Sequence, residues 1–236
     1  MSRTRRAFEA KFRLLLQQCG ARRLEQGMDW LVIRAEALAH RQQTPLARAL
    51  THVYRETLRR VSRTPGGRVA RLWRAAIQPP PASLVTFQCD AGLGGLARWL
   101  RATGYEADWM ADISDEELLR RGRRDGVVVV TTDSLLLDGR ALRDREVLVV
   151  WVPPTLKPLE QLALVLDELG LEVKSPRCMK CGGALCPVKK EAVQERIPPR
   201  TAKWLDDYFV CERCGQLFWH GTHWRRIQAE LEGISS

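Results

Sequence analysis

Two sets of side chains in this chain have the types and spacing that chemistry requires. Cys178-Met179-Lys180-Cys181-Gly182 and Cys211-Glu212-Arg213-Cys214-Gly215 repeat one C-x-x-C-G pattern, with 29 residues between the pairs. A two-residue gap lets both thiolates of a pair reach one ion, and four thiolates close the tetrahedron of a structural Zn²⁺ site, leaving no open position for catalysis. The glycine after each pair supplies the turn. Cys186 and the H-x-x-H of His220 and His223 are substitute ligands that the duplicated knuckle does not need. Cys19 and Cys89 read as buried thiols.

The second set is acidic. Asp90 follows a short apolar run at 84–89, Asp133 closes Thr131-Thr132-Asp133 after four valines, and Asp115 opens an amphipathic stretch. Carboxylates brought together repel and raise one another's pKa unless divalent cations neutralise them, and hard oxygen donors suit Mg²⁺ or Mn²⁺. A metal-dependent phosphodiesterase is the chemistry such a trio would serve, with ions activating water and stabilising the leaving oxygen. Each acid also has a plain structural reading: Asp90 and Asp133 can cap the helices that follow them, and Asp115 sits in a first helical turn where negative charge is favoured. Asp112 is a substitute for Asp115, and Asp138 is either a further ligand or a loop charge. Ser114 and Glu117 form an S-x-x-E capping box, which makes Glu117 structural.

A competing motif overlaps the first acid. Residues 92–97, Gly-Leu-Gly-Gly-Leu-Ala, satisfy G-x-G-x-x-A between a strand and a helix, as in a dinucleotide site. Asp90 argues against it, because its carboxylate would face the pyrophosphate that the helix amino terminus attracts.

These residues need elements to position them. From residue 84 the pattern alternates: strands at 84–89, 105–110, 127–131 and 147–152, with helices from Leu93 to Gly104, at 115–124, weakly at 134–142, and an amphipathic one at 156–169, stopped by Gly170. Repeated β-α units imply a parallel sheet, whose carboxyl edge gathers the strand-to-helix junctions where the three acids lie. Upstream, apolar residues spaced by three and four predict helices at 8–19, 30–40, 46–61 and 69–77, and Pro79-Pro80-Pro81 reads as a linker.

Composition bounds the reading. The chain has 236 residues, 45% of them hydrophobic, enough for a packed core. No apolar run approaches the roughly 18 residues of a spanning helix. Paired C-x-x-C motifs without a secretory leader point to a reducing, intracellular and cytoplasmic setting, although the Arg-rich start also resembles an organellar presequence. The net charge is +10, distributed as +12 over 1–80, −5 over 81–175 and +3 over 176–236. An acidic centre between basic flanks suits an enzyme that holds metal ions and grips a phosphate backbone on either side. In the last segment Trp204, Tyr208, Phe209, Phe218, Trp219 and Trp224 alternate with Lys and Arg; most should form a small core, with at least one exposed ring for stacking bases.

The residues 87–90, Phe-Gln-Cys-Asp, then Leu93-Gly94-Gly95-Leu96-Ala97-Arg98-Trp99-Leu100-Arg101, Asp115-Glu116-Glu117-Leu118, Val130-Thr131-Thr132-Asp133, the paired knuckles and 218–224, Phe-Trp-His-Gly-Thr-His-Trp, together resemble the Mut-seven C-terminal ribonuclease domain. The resemblance implies an α/β fold with a PIN-like three-layer core at 84–175 and a zinc ribbon at 176–230; it does not cover the basic helical region at 1–80. It implies divalent-metal-dependent RNA cleavage, with Asp90, Asp115 and Asp133 holding Mg²⁺ or Mn²⁺, and Cys178, Cys181, Cys211 and Cys214 holding Zn²⁺. The expected partner is single-stranded RNA, with no membrane, and a protein partner through 1–80. The alternative is a noncatalytic RNA-binding adaptor with a degenerate PIN-like site, since Ser134 follows the third acid where a charged residue would supply a fourth.

Overall fold

The computed structural model describes residues 2–62, 84–138 and 146–235. The expected helix at 69–77 and the proline linker lie outside them. Four parallel strands, β1 (Thr86–Cys89), β2 (Glu106–Trp109), β3 (Val128–Thr131) and β4 (Val149–Trp151), form one sheet in the order β2-β1-β3-β4. Val128, Val129 and Val130 are buried on both faces, as a central parallel strand demands. On one face lie α4 (Gly94–Ala102) and α6 (Pro158–Leu169); on the other, α5 (Asp115–Asp125) buries Leu118 against Val129 and Val147.

Ahead of the sheet come α1 (Arg3–Gln18), α2 (Leu24–Gln42) and α3 (Leu46–Ser62), which add a further helical layer over α6. Periodicity places Phe8, Phe12 and Leu15 on one face of α1, and all three are fully buried. Phe8 meets the edge of Trp151 from β4, with centroids 5.6 Å apart, and Tyr54 of α3 completes the aromatic cluster. Cys19, read as buried, is instead the exposed C-cap residue of α1, one turn beyond the end of that apolar face.

Ion pairs join this layer to α6. Lys11 Nζ donates to both oxygens of Glu168 at 2.6 Å, with both side chains buried, while Arg48 meets Glu160, and Arg55 and Arg59 share Asp167. Part of the basic surplus at the amino terminus therefore neutralises acids of the core. The same cover explains why α6, expected to be amphipathic, buries eight of its residues, Gln161 and Glu168 among them. Removing one member of a buried pair strands the other charge, at roughly 3–5 kcal/mol. Glu168→Ala is expected to lower stability by about that much in urea unfolding, and Lys11→Met with Glu168→Leu should recover most of it; an unchanged midpoint in the single variant would contradict the pairing.

A second, antiparallel sheet of β5 (Leu185–Val188), β6 (Tyr208–Cys211) and β7 (Leu217–Trp219) follows, and α7 (Thr222–Ser235) returns to the main core through Ile227 and Leu231. Among the described residues no helix is long and apolar enough to cross a membrane.

Candidate functional site

The strand order turns back at the carboxyl edge between β1 and β3, the switch point where open α/β sheets leave a crevice. Asp90 leaves β1 there and Asp133 follows β3. Thr131, fully buried, ties them together: its hydroxyl donates to Asp90 Oδ2 at 2.8 Å and accepts from the Asp133 backbone N–H at 2.9 Å. The other Asp90 oxygen accepts from Ala91 N at 2.6 Å, capping the 3-10 turn Ala91–Leu93, and Asp133 Oδ1 accepts from Leu135 N at 2.9 Å. Capping and convergence thus coexist in the same side chains. Each carboxylate retains lone pairs, since an ionised carboxylate offers about four acceptor sites.

Asp115 opens α5 at an exposed position. Desolvation raises its pKa, and the negative charges of Asp90 and Asp133 raise it further. The three acids therefore share one field, and Asp112 is exposed in the β2–α5 loop. The side chain of Asp138 lies outside the described residues. The trio is nevertheless looser than the cysteine set: among the described residues, only the four cysteines form a group of three or more metal-binding side chains whose ligand atoms all lie within 4.8 Å of one another. Glu117 is structural, with its N–H on Ser114 Oγ and its carboxyl held down at about 2 by Arg120 and Arg121.

The raised Asp115 pKa has a signed consequence. A carboxyl that folding makes harder to ionise opposes the fold once it is charged, and the opposition disappears as pH falls below the usual carboxylate range. Asp115→Asn is expected to raise the melting temperature of the Mg²⁺- and Mn²⁺-free protein slightly at pH 7, with no gain near pH 3, about one unit below an ordinary Asp pKa. A lower melting temperature at pH 7 would contradict the shared field.

Several supports were not legible in the motifs. Trp151 donates its indole N–H to Thr132 O at 3.0 Å, so the α1 cluster that packs on Trp151 also backs the Asp133 turn. Trp109, at the end of β2, donates to Ala91 O at 2.8 Å, and a Cβ on Gly94 would lie 2.8 Å from its ring. Gly94 therefore admits an indole, which occupies the approach that a pyrophosphate would need in the dinucleotide reading.

At the knuckles, the Cys178 and Cys214 sulfurs are 3.7 Å apart, and those of Cys181 and Cys211 are 3.4 Å apart. Disulfides would need about 2.05 Å. A tetrahedron with Zn–S bonds of about 2.3 Å has edges of roughly 3.8 Å, close to the observed spacing. Gly182 and Gly215 take φ of +79° and +67°, which lets each N–H fold back onto the carbonyl of the first cysteine of its pair, at 2.8 and 2.9 Å. The four thiols thus form a cluster able to hold a metal ion such as zinc. Cys186 stands outside it on β5, and His220 instead stacks on Trp224, with centroids 5.7 Å apart.

Arginines weld this ribbon to the sheet. Buried Arg101 of α4 donates to Ala107 O on β2 and to the knuckle carbonyls of Met179 and Lys180, while Glu106 pairs with Arg213 at 2.6 Å. Tyr208 is buried in the ribbon core, whereas Trp204 is 84% exposed, the free ring expected there.

Compared with known proteins, residues 85–231 match the family model described as the Mut7-C RNAse domain. No curated protein and no solved structure matches the chain significantly.

Proposed function

Because the chain belongs to the Mut7-C RNAse domain family, we propose that it is a divalent-metal-dependent ribonuclease that hydrolyses RNA phosphodiester bonds. The observation that carries this reading is the Thr131-bridged meeting of Asp90 and Asp133 at the switch point, with Asp115 in their field. In this reading Asp90 and Asp133 anchor Mg²⁺ or Mn²⁺, and Asp115 completes the ligand set from the start of α5. Bound there, the ions would supply Lewis-acid charge stabilisation and an activated water. The residues do the positioning: Thr131 and the Ala91 N–H fix both oxygens of Asp90, and Trp151 holds the turn that presents Asp133. Zinc in the four-cysteine ribbon is structural, and the ribbon's cations and exposed Trp204 help to hold RNA in an intracellular, cytoplasmic setting.

A noncatalytic adaptor draws on one observation, that the acids cap their own turns and meet less tightly than the cysteines. Cleavage of end-labelled single-stranded RNA and DNA by zinc-loaded protein, with and without Mn²⁺, separates the two. The enzyme cuts RNA only when Mn²⁺ or Mg²⁺ is added. Binding without cleavage under every metal condition would leave the adaptor.

A further inference from the structure

The acidic edge poses a problem for its own substrate. Asp90, Asp108, Asp112, Asp115 and Asp133 lie on or beside it, and like charges repel a phosphate backbone even where ions neutralise part of the cluster. Contacts that do not depend on charge would add to whatever attraction bound ions supply at this place. Three of the large exposed apolar side chains lie here: Trp109 and Met110 at the end of β2, and Leu135 beside Asp133, with exposures of 40%, 38% and 59%.

Of these, Trp109 is held rigidly. Its strand position is paired with Cys89, the residue before Asp90. Its indole N–H is bonded to Ala91 O, the residue after Asp90. A Cβ on Gly94 would sit 2.8, 3.0 and 3.2 Å from three ring atoms, so the bare backbone of Gly94 lies against the face of the indole. With one face seated on α4 and the edge tethered, the remaining exposed surface is a fixed apolar platform one strand away from the first acid.

Resting on the ribonuclease reading above, we infer that Trp109 is the base platform of the site. It stacks one unpaired nucleobase next to the phosphodiester that Asp90 and Asp133 face. In a duplex both faces of a base are covered by its neighbours, so the platform selects RNA that is single-stranded at the cleavage point. Stacking takes any base, which makes the preference one of strandedness and not of sequence.

The test uses the full, zinc-loaded chain and RNA oligonucleotides of one length: one intact, and a set in which a single nucleotide is abasic, stepped along the chain. Binding is read in Ca²⁺ by anisotropy, and cleavage separately in Mn²⁺. For the wild type, one abasic position flanking the cut should weaken binding by about tenfold, in the range of a single base-aromatic stack. Trp109→Ala should bind intact RNA about tenfold more weakly and ignore the abasic position. Trp109→Phe, which keeps a ring but loses the bond to Ala91, should retain most of the discrimination. A Trp109→Ala protein that melts at a lower temperature yet discriminates abasic RNA as the wild type does would overturn the platform and leave a packing residue. So would a wild type indifferent to base removal at every position, a result obtained without any variant. Failure of the ribonuclease reading looks different: base-dependent binding through Trp109 would persist in Ca²⁺ while no metal supported cleavage.

Discussion

Cys178→Ser is expected to release the zinc and unfold the ribbon, the largest stability loss in the molecule. Structural zinc in small domains contributes on the order of 10 kcal/mol, because the site exists only when the fold does. Here the ribbon has little else: its own core is a handful of residues around Val193, Ile197, Tyr208 and Leu217. Cys178 is fully buried and its N–H is bonded to Gly183 O, so a serine there places a hard, unpaired hydroxyl in the metal shell. Cys214 is exposed, and its replacement should be the milder of the two. The loss should also reach the α/β core, because Arg101 would lose the Met179 and Lys180 carbonyls and keep only its bond to Ala107 O. Zinc content by mass spectrometry, together with far-UV melting, reads both effects. One zinc per chain and an unchanged melt in Cys178→Ser would reject the four-thiolate site.

The second large effect is chemical. Asp90→Asn with Asp133→Asn should reduce Mn²⁺-dependent RNA cleavage by about a thousandfold or more, as expected when roughly 4 kcal/mol of transition-state stabilisation by bound ions is removed. Folding should survive, because an asparagine can still accept from Ala91 N and Leu135 N through its amide oxygen, preserving both caps. RNA binding through the basic surface should persist and should weaken with added salt. Equal activity in the double variant would assign the cleavage to another protein in the preparation.

The sheet and its acids were legible because two strong signals coincide there. Runs such as Val128 to Val130 leave no polar face and must be buried strands, and strand-end aspartates in parallel units can only gather at one edge. The knuckles were legible for a different reason, since C-x-x-C-G sets a local geometry that tertiary context hardly alters. What escaped depends on partners distant in sequence. Arg101 looks like an exposed helix charge until the ribbon's carbonyls close over it. Periodicity gave α6 a polar side, and only the arrival of α1 and α3 turned that side inward. Gly94 lent itself to a competing dinucleotide motif because nothing in its neighbourhood announces that Trp109, fifteen residues later, needs the space.

In the proposed enzyme the carboxyl edge of the sheet holds divalent ions between Asp90 and Asp133. Crystals of the zinc-loaded protein grown with MnCl₂ test it directly through anomalous scattering at the manganese edge. A manganese peak within bonding distance of Asp90 and Asp133, lost in the Asp90→Asn, Asp133→Asn variant, is the predicted result. Protein that cleaves RNA with Mn²⁺ yet shows manganese only elsewhere would contradict it.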